Sequence, residues 1–554
     1  MHLSAQPDVD QKEAARPDSC CSISDPRGTI NLGSKTKGIK GWLLGPWPIA
    51  ILFALCSLFL VTRNNDYPYY YEKDAYSKVD QVVTGHRNFY HPLLMLNTAD
   101  AVLRITGMER TPQNAVMAGR WSIAVFAAVA IGALSILAFR LEGRAAAICV
   151  GALLTVHPLY FELAHFFKED PALIVGLALS FLAMQVFWER RTPASAGFLG
   201  VAAAIAVSGK YVGVAALAMS VVLFICARRD EKQVVRWGAF LGAYIGVFCI
   251  INYQLVLNID HFSQGFGTEI NDLTRENKVE DIPHLAQSWK VLVKTLSATL
   301  ALLVISQIIH HIRNHGSNPV RWLLFLYPII FFNVLMWSPR LFTRHFLPVV
   351  TFLLVLAGMG IPLVTTWLLK ITRKPRFLRL PLSLLILILI YRIDLKTEFR
   401  HQYRAFTNLT REILIEKINE NIPKDAVIAA DTRIYLVDRE GNPRLTQPVE
   451  QKVITRKRLS MFGSLEELRK LGVTHVAAHG IDSRALFKPE ADDADDENTE
   501  SPENGSGKKG YRNPQFYQNL EKNAKLLWEI QVKGNSYITP ELRFYELHPQ
   551  GIVD

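Results

Sequence analysis

Apolar runs recur along this chain at lengths close to the roughly 20 residues that an α-helix needs to cross the hydrocarbon core of a bilayer. They are plainest at 42–61, 121–139, 237–251 and 346–369. Weaker runs at 145–155, 171–189, 194–207, 211–226, 291–309, 322–337 and 380–390 bring the expected spans to about 11. From 392 onward the pattern changes. REILIEKINENIP has the period of an amphipathic helix, DAVIAAD and TRIYLV read as strands, SLEELRKLG reads as a capped helix closed by Gly472, and VTHVAAHG, LLWEIQV and LRFYELHP read as further strands. The expectation is a polytopic α-helical membrane protein over 41–392, followed by a soluble α/β domain over 393–554. The polar tail 1–40 is expected to be disordered. So is the acidic insert 490–510, whose stretch from 490 to 504 has eight carboxylates and no Lys or Arg.

The polar stretches that break this pattern are the places to look for chemistry. The longest early one, within the outer loop 63–113, runs from 66 to 108 and opens with Tyr69, Tyr70 and Tyr71, whose amphipathic rings suit a membrane surface, beside Glu72 and Asp74. Residues 75–84 read as a short helix ending at Gly85, and Pro92 reads as the first residue of a second that turns Leu93, Leu96, Ala99 and Leu103 to one side. Both are expected to lie along the membrane surface. The segment 258–288, with Gly265 and Gly267, reads as a polar loop able to gate a cavity.

Composition agrees with the pattern: 554 residues are half hydrophobic. The net charge of +11 would suggest nucleic acid in a soluble protein. Here the basic residues fall instead at alternate membrane ends, at 35–40, Arg140 with Arg144, Arg190 with Arg191, Arg228 with Arg229, Arg313 with Arg321, and 370–379, which assigns those ends to the cytoplasm and argues against a nucleic-acid partner. The N-terminus is then cytoplasmic and the C-terminal domain extracytoplasmic. The first 40 residues lack the apolar core of a secretory signal, so 42–61 is expected to stay as an anchor. Cys20, Cys21, Cys56, Cys149, Cys226 and Cys249 have neither zinc nor disulfide spacing. Asn408 and Asn504 match the glycosylation acceptor pattern.

By alternation of sides, four polar segments share the outer face: the first loop, HPLYFELAHFFKEDP with Lys168, Glu169 and Asp170, SGKY with Lys210, and SPRLFTRHFLP with Arg340, Arg344 and His345. Each has a bland reading beside the functional one. The first-loop acids are solvated, Glu169 and Asp170 cap the helix begun by Pro171, Lys210 snorkels to the interface, and His91 starts a helix. His310, His311 and His315 fall on the opposite face without a carboxylate pair, which argues against a metal there.

Taken together these segments resemble the C-type glycosyltransferases, in particular the protein O-mannosyltransferase and bacterial lipid A sugar-transferase group. The carriers are Asp74, then Gly85 and His91-Pro92-Leu93, the Lys168-Glu169-Asp170 loop, Ser208-Gly209-Lys210-Tyr211, and Arg344-His345-Phe346-Leu347-Pro348, within about 42–390. The resemblance implies that fold, an integral-membrane location in a bacterial inner membrane, and inverting transfer of a sugar from a polyprenyl-phosphate carrier to a glycan, lipid or protein hydroxyl on the outer face. It also implies that Asp74 is the base, that Lys210, Arg344 and Arg340 hold the donor phosphate, and that Asp170, Glu169, Lys168, His91 and His345 place the acceptor or support the site. Where many members have an acid directly after the Asp, this chain has Ala75, with Glu72 two residues before, so Glu72 and Asp74 compete for the base. A donor with a single phosphate lets fixed cations do what a divalent metal does for pyrophosphate, so no obligatory metal or cofactor is expected beyond the lipid-linked sugar. A transporter or flippase of lipid-linked sugars is the alternative, but it would show paired halves and broken midplane helices, and no repeat is visible.

Overall fold

The computed structural model describes residues 45–227, 231–275, 285–313, 318–336, 342–437, 449–480, 514–533 and 538–547. The tail 1–40 with Cys20 and Cys21, the pair Arg228 and Arg229, His315, Arg340 and the insert 490–510 with Asn504 lie outside the described residues. The described residues from Pro46 onward belong to one compact unit.

Five described helices are long and apolar enough to cross a membrane: Pro112–Glu142, Asp170–Arg190, Gln233–Ile251, Pro319–Met336 and Thr343–Ile371. Two bent pairs, Arg144–Val156 with Pro158–Ala164 (63°) and Leu285–Thr295 with Ala298–Arg313 (97°), raise this to seven if each is one span. The expected 11 drew also on shorter apolar helices, Trp47–Thr62, Pro193–Gly209, Tyr211–Cys226 and Arg379–Ile390.

Local chemistry sets many helix ends. The Thr111 side chain accepts from the Asn114 amide ahead of Pro112–Glu142, and Thr192 and Ser195 cap Pro193–Gly209 reciprocally. Between helices, small residues permit close approach. A Cβ on Gly176 would stand 2.2 Å from the Ala206 Cα, and one on Gly200 2.2 Å from the Phe240 carbonyl oxygen, so Asp170–Arg190, Pro193–Gly209 and Gln233–Ile251 pack backbone to backbone.

Three expectations for the helical part differ from the structure. The span at 291–309 is broken, because Ser297 accepts from the Leu300 amide at 3.3 Å and starts a new helix at the bend. The stretch 258–288 is not simply a loop. It contains helix Ile259–Arg275 and the start of Leu285–Thr295, and Phe262 and Phe266, one turn apart, pack on the Tyr211 ring. The second surface helix begins at Leu94 rather than Pro92, and the Leu93 amide just before it is donated to Asn252 Oδ1 at 3.0 Å.

The chain leaves the membrane part without a break. Arg379–Ile390 passes through a π-helical turn, Tyr391–Leu395, into Lys396–Thr407, so the compositional boundary near 392 falls inside one helical run. After helix Thr410–Asn421 comes a sheet of β1 Val427–Asp431, β2 Lys452–Arg456, β3 His475–His479, β4 Ala524–Ile530 and β5 Leu542–Leu547. Its order is β2-β1-β3-β5-β4, with β1 parallel to β2 and β3 and the β5 pairings antiparallel. TRIYLV, expected as a strand, is a 3₁₀ turn instead. The Asp431 carboxylate accepts from the Arg433 amide at 2.9 Å, which closes the chain before it can extend.

Candidate active site

Burial folds the start of the loop 63–113. Tyr67, Tyr70 and Tyr71 are buried, and Arg120, on helix Pro112–Glu142, is fully buried with its guanidinium 3.4 Å from the centre of the Tyr67 ring. Arg120 donates to the carbonyls of Asn65 at 3.2 Å and Tyr67 at 2.5 Å and stands 3.5 Å from Glu72. The Glu72 carboxylate also accepts from the Phe167 amide at 3.3 Å. Burial pushes the Glu72 carboxyl up, against the pull of Arg120, Lys168 and Lys78. This acid braces the loop from within.

The 3₁₀ turn Lys73–Ala75 sends the next acid the other way. Asp74, 35% exposed, meets Lys168 Nζ at 3.0 Å and Arg344 Nη1 at 2.6 Å. Burial alone would raise its pKa. Lys168, then Arg344 and Lys78, outweigh burial and hold Asp74 down to about 2. Gly85, at φ +80°, closes helix Tyr76–Thr84 behind it by giving its amide to the Gln81 carbonyl.

Glu169 forms a second centre. Lys78 Nζ lies 2.9 Å from one carboxylate oxygen and 3.1 Å from the other, and His91 Nε2 lies at 3.5 Å. Although burial opposes it, Lys78, His91 and Lys210 keep this carboxyl below the usual carboxylate range. Asp170, buried in the first turn of Asp170–Arg190, takes Lys210 Nζ at 2.9 Å.

A cavity of about 240 Å³ opens between these groups, with Asp74, Lys78, His91, Lys168, Glu169 and Arg344 in its wall and Met95 and Leu96 on an apolar side. Glu72, Asp170, Lys210 and His345 are not part of that lining. His345 sits in the 3₁₀ turn Thr343–Phe346, its ring 5.4 Å from Phe342. The cation that joins Arg344 is thus Lys168, on the second loop, while the expected Lys210 stands one ion pair away on Asp170. Lys78 was not singled out in the sequence. The signal was there: it follows Asp74 by four residues, the spacing that puts two side chains on one side of a helical turn.

Three cations facing two carboxylates give the cavity an excess of positive charge and many N–H donors. Such a donor set suits an anionic oxygen-rich group such as a phosphate. The carboxylate beside it is ionised at neutral pH and partly open to the cavity, so it can accept a proton.

Residues 91–254 match the family model described as dolichyl-phosphate-mannose-protein mannosyltransferase. No curated protein sequence matches the chain. Among solved structures, ArnT from Cupriavidus metallidurans bound to undecaprenyl phosphate is 13% identical, with 92% of this chain and 98% of that chain covered and a TM-score of 0.48. The apo form of the same protein is 14% identical, covering 81% and 94% with a TM-score of 0.47. The Archaeoglobus fulgidus oligosaccharyltransferase in complex with zinc and sulfate is 12% identical, covering 79% and 69% with a TM-score of 0.45. At TM-scores below 0.5 these similarities are loose. Asp74 and Arg344 lie outside the matched segment, but His91, the Lys168-Glu169-Asp170 loop and Ser208-Gly209-Lys210-Tyr211 lie inside it. The residues that carry the resemblance and the segment that matches the family model coincide from His91 to Tyr211.

Proposed function

We propose that the chain moves a sugar from a polyprenyl-phosphate carrier to an acceptor hydroxyl, with inversion at the anomeric carbon, in the cavity beside Asp74. The observation that supports this most directly is the position of Asp74, which faces the cavity while paired to both Lys168 and Arg344. The acceptor oxygen attacks the anomeric carbon, and its proton passes to the Asp74 carboxylate. The bond from that carbon to the phosphate oxygen breaks, its electron pair stays with the phosphate, and Arg344 and Lys168 stabilise the charge that develops there.

The shared cations account for how a carboxylate held near 2 can serve as a base. A donor phosphate competes with Asp74 for Lys168 and Arg344. As these two turn to the phosphate, the carboxylate loses the partners that depress it and its proton affinity rises. The base is then strongest when the donor is in place. Glu169, between Lys78 and His91 across the cavity, orients the acceptor, and the Lys210–Asp170 pair supports Glu169 from behind. The cavity is placed on the extracytoplasmic side of a bacterial inner membrane, with the N-terminus in the cytoplasm.

The test is transfer in lipid nanodiscs from a panel of polyprenyl-phosphate sugars, followed by mass spectrometry of the released carrier and the glycosylated acceptor. Asp74→Asn, which cannot take the proton, should lower turnover by about 10²–10⁴. Transfer by this variant at the wild-type rate would remove Asp74 from the chemistry.

A further inference from the structure

Among the contacts between the C-terminal domain and the first outer loop, beside that of Phe406 with Tyr67, is an aromatic cluster around Tyr435. The Tyr435 ring lies 5.0 Å from that of Tyr70 and 6.1 Å from that of Tyr71, and its hydroxyl lies 3.2 Å from the Tyr76 hydroxyl. Tyr76 is two residues from Asp74 and two from Lys78, and it is the first residue of the helix that carries Lys78. A contact that holds Tyr76 therefore acts on both cavity groups at once.

The domain holds Tyr435 for this contact at a conformational cost. Tyr435 has φ +57° and ψ +45°, a left-handed geometry that a bulky L residue seldom adopts. Two neighbours impose it. Asp431, at the end of β1, ties back the Arg433 amide and guanidinium. Arg411, in the first turn of Thr410–Asn421, donates to the carbonyls of Arg433 at 3.1 Å and Ile538 at 3.2 Å, and its guanidinium lies 4.5 Å from the centre of the Tyr71 ring and 5.4 Å from that of Tyr435. A buried arginine thus braces the turn that presents Tyr435 and covers the loop tyrosine against which Tyr435 rests. Strain at a contact between elements, maintained by buried partners, marks a position where geometry is being imposed.

We infer that the C-terminal domain is a positioning element for the reaction, in which Tyr435, braced by Arg411, fixes the Tyr69–Tyr76 segment so that Asp74 keeps its place beside Lys168 and Arg344. The inference rests on the proposed transfer reaction. It assigns no contact with substrate to Tyr435 or Arg411. Lys168 and Arg344 belong to other segments, so loosening this clamp acts on the base and leaves the phosphate contacts standing.

Tyr435→Gly tests this in the full chain in nanodiscs, since glycine accepts φ +57° and removal of the ring brings no backbone conflict. Hydrogen exchange over residues 69–78 is expected to speed about tenfold while exchange in helix Pro112–Glu142 stays unchanged. Turnover is expected to fall about tenfold with the donor KM no higher than that of wild type, the split that marks a group acting on the chemical step. Tyr435→Phe, which keeps the ring contacts and loses only the hydroxyl contact to Tyr76, should recover most of that turnover. Unchanged exchange over 69–78 in Tyr435→Gly would overturn the inference, and so would faster exchange with unchanged turnover. If the wild-type chain transfers no sugar, the proposed reaction falls, yet the exchange measurement still decides whether the domain orders the loop.

Discussion

Asp74 carries both the proposed chemistry and a defined response to pH. Its ordinary value of 3.8 is brought down to about 2, because Lys168, Arg344 and Lys78 together exceed the upward push of burial. A carboxyl depressed in the folded chain lends its full stabilisation above the unfolded value, and that contribution disappears as pH falls through the folded one. The window for Asp74 is therefore pH 4 down to about 2. Thermal midpoints of wild type and Asp74→Asn measured from pH 7 to 2 should differ most above pH 4 and converge toward pH 2. Asp74 is 35% exposed, so solvent screens its pairs and the gap should be about 1–3 °C. A gap that is constant over the whole range would mean that its ion pairs do not contribute as the geometry requires.

Between elements, Asn252 does the joining. Fully buried at the end of Gln233–Ile251, it donates to Ser208 Oγ at 2.7 Å and accepts from the Leu93 amide at 3.0 Å, while Asn97 returns a bond to the Ile251 carbonyl at 2.8 Å. One side chain thereby links the helix start beside His91 to the helix end before Lys210. Asn252→Leu strands a buried amide and a buried hydroxyl, and it should cost about 1–3 kcal/mol in chemical unfolding and weaken acceptor binding. An unchanged unfolding midpoint would show that the link is dispensable. This residue also marks where sequence reasoning ends. Leu93, Leu96, Ala99 and Leu103 were legible as one face, and all four are buried, because helical periodicity is a local property. Gly85 was legible as a helix end for the same reason. Whether Glu72 or Asp74 faces the cavity was not, since a three-residue turn decides it. The choice of Lys168 over Lys210 as the partner of Arg344 depends on reach across helices, which no spacing along the chain encodes.

Across the whole molecule, helix Pro112–Glu142 connects two polar ends of unlike purpose. Arg120 sits beneath the loop that holds Asp74, and Glu142 lies 22 residues on, roughly 33 Å at 1.5 Å per residue. There Glu142 takes Arg321 Nη1 at 2.5 Å and Gln307 Nε2 at 3.2 Å, Arg321 also donates to the Leu141 carbonyl at 2.5 Å, and Arg140 pairs with Glu189 nearby. This network binds Ala298–Arg313 and Pro319–Met336 to the long helix, and among its described members none lines the cavity. Stability and chemistry are therefore separable along one helix. Glu142→Gln keeps the shape and removes the charge, so it should lower stability by about 1–3 kcal/mol. Sugar transfer at a temperature well below the new midpoint should stay within about twofold of wild type. Unfolding curves and transfer kinetics on the same nanodisc preparation check both halves, and a loss of transfer without a loss of stability would mean that the two ends are coupled through the helix rather than merely joined by it.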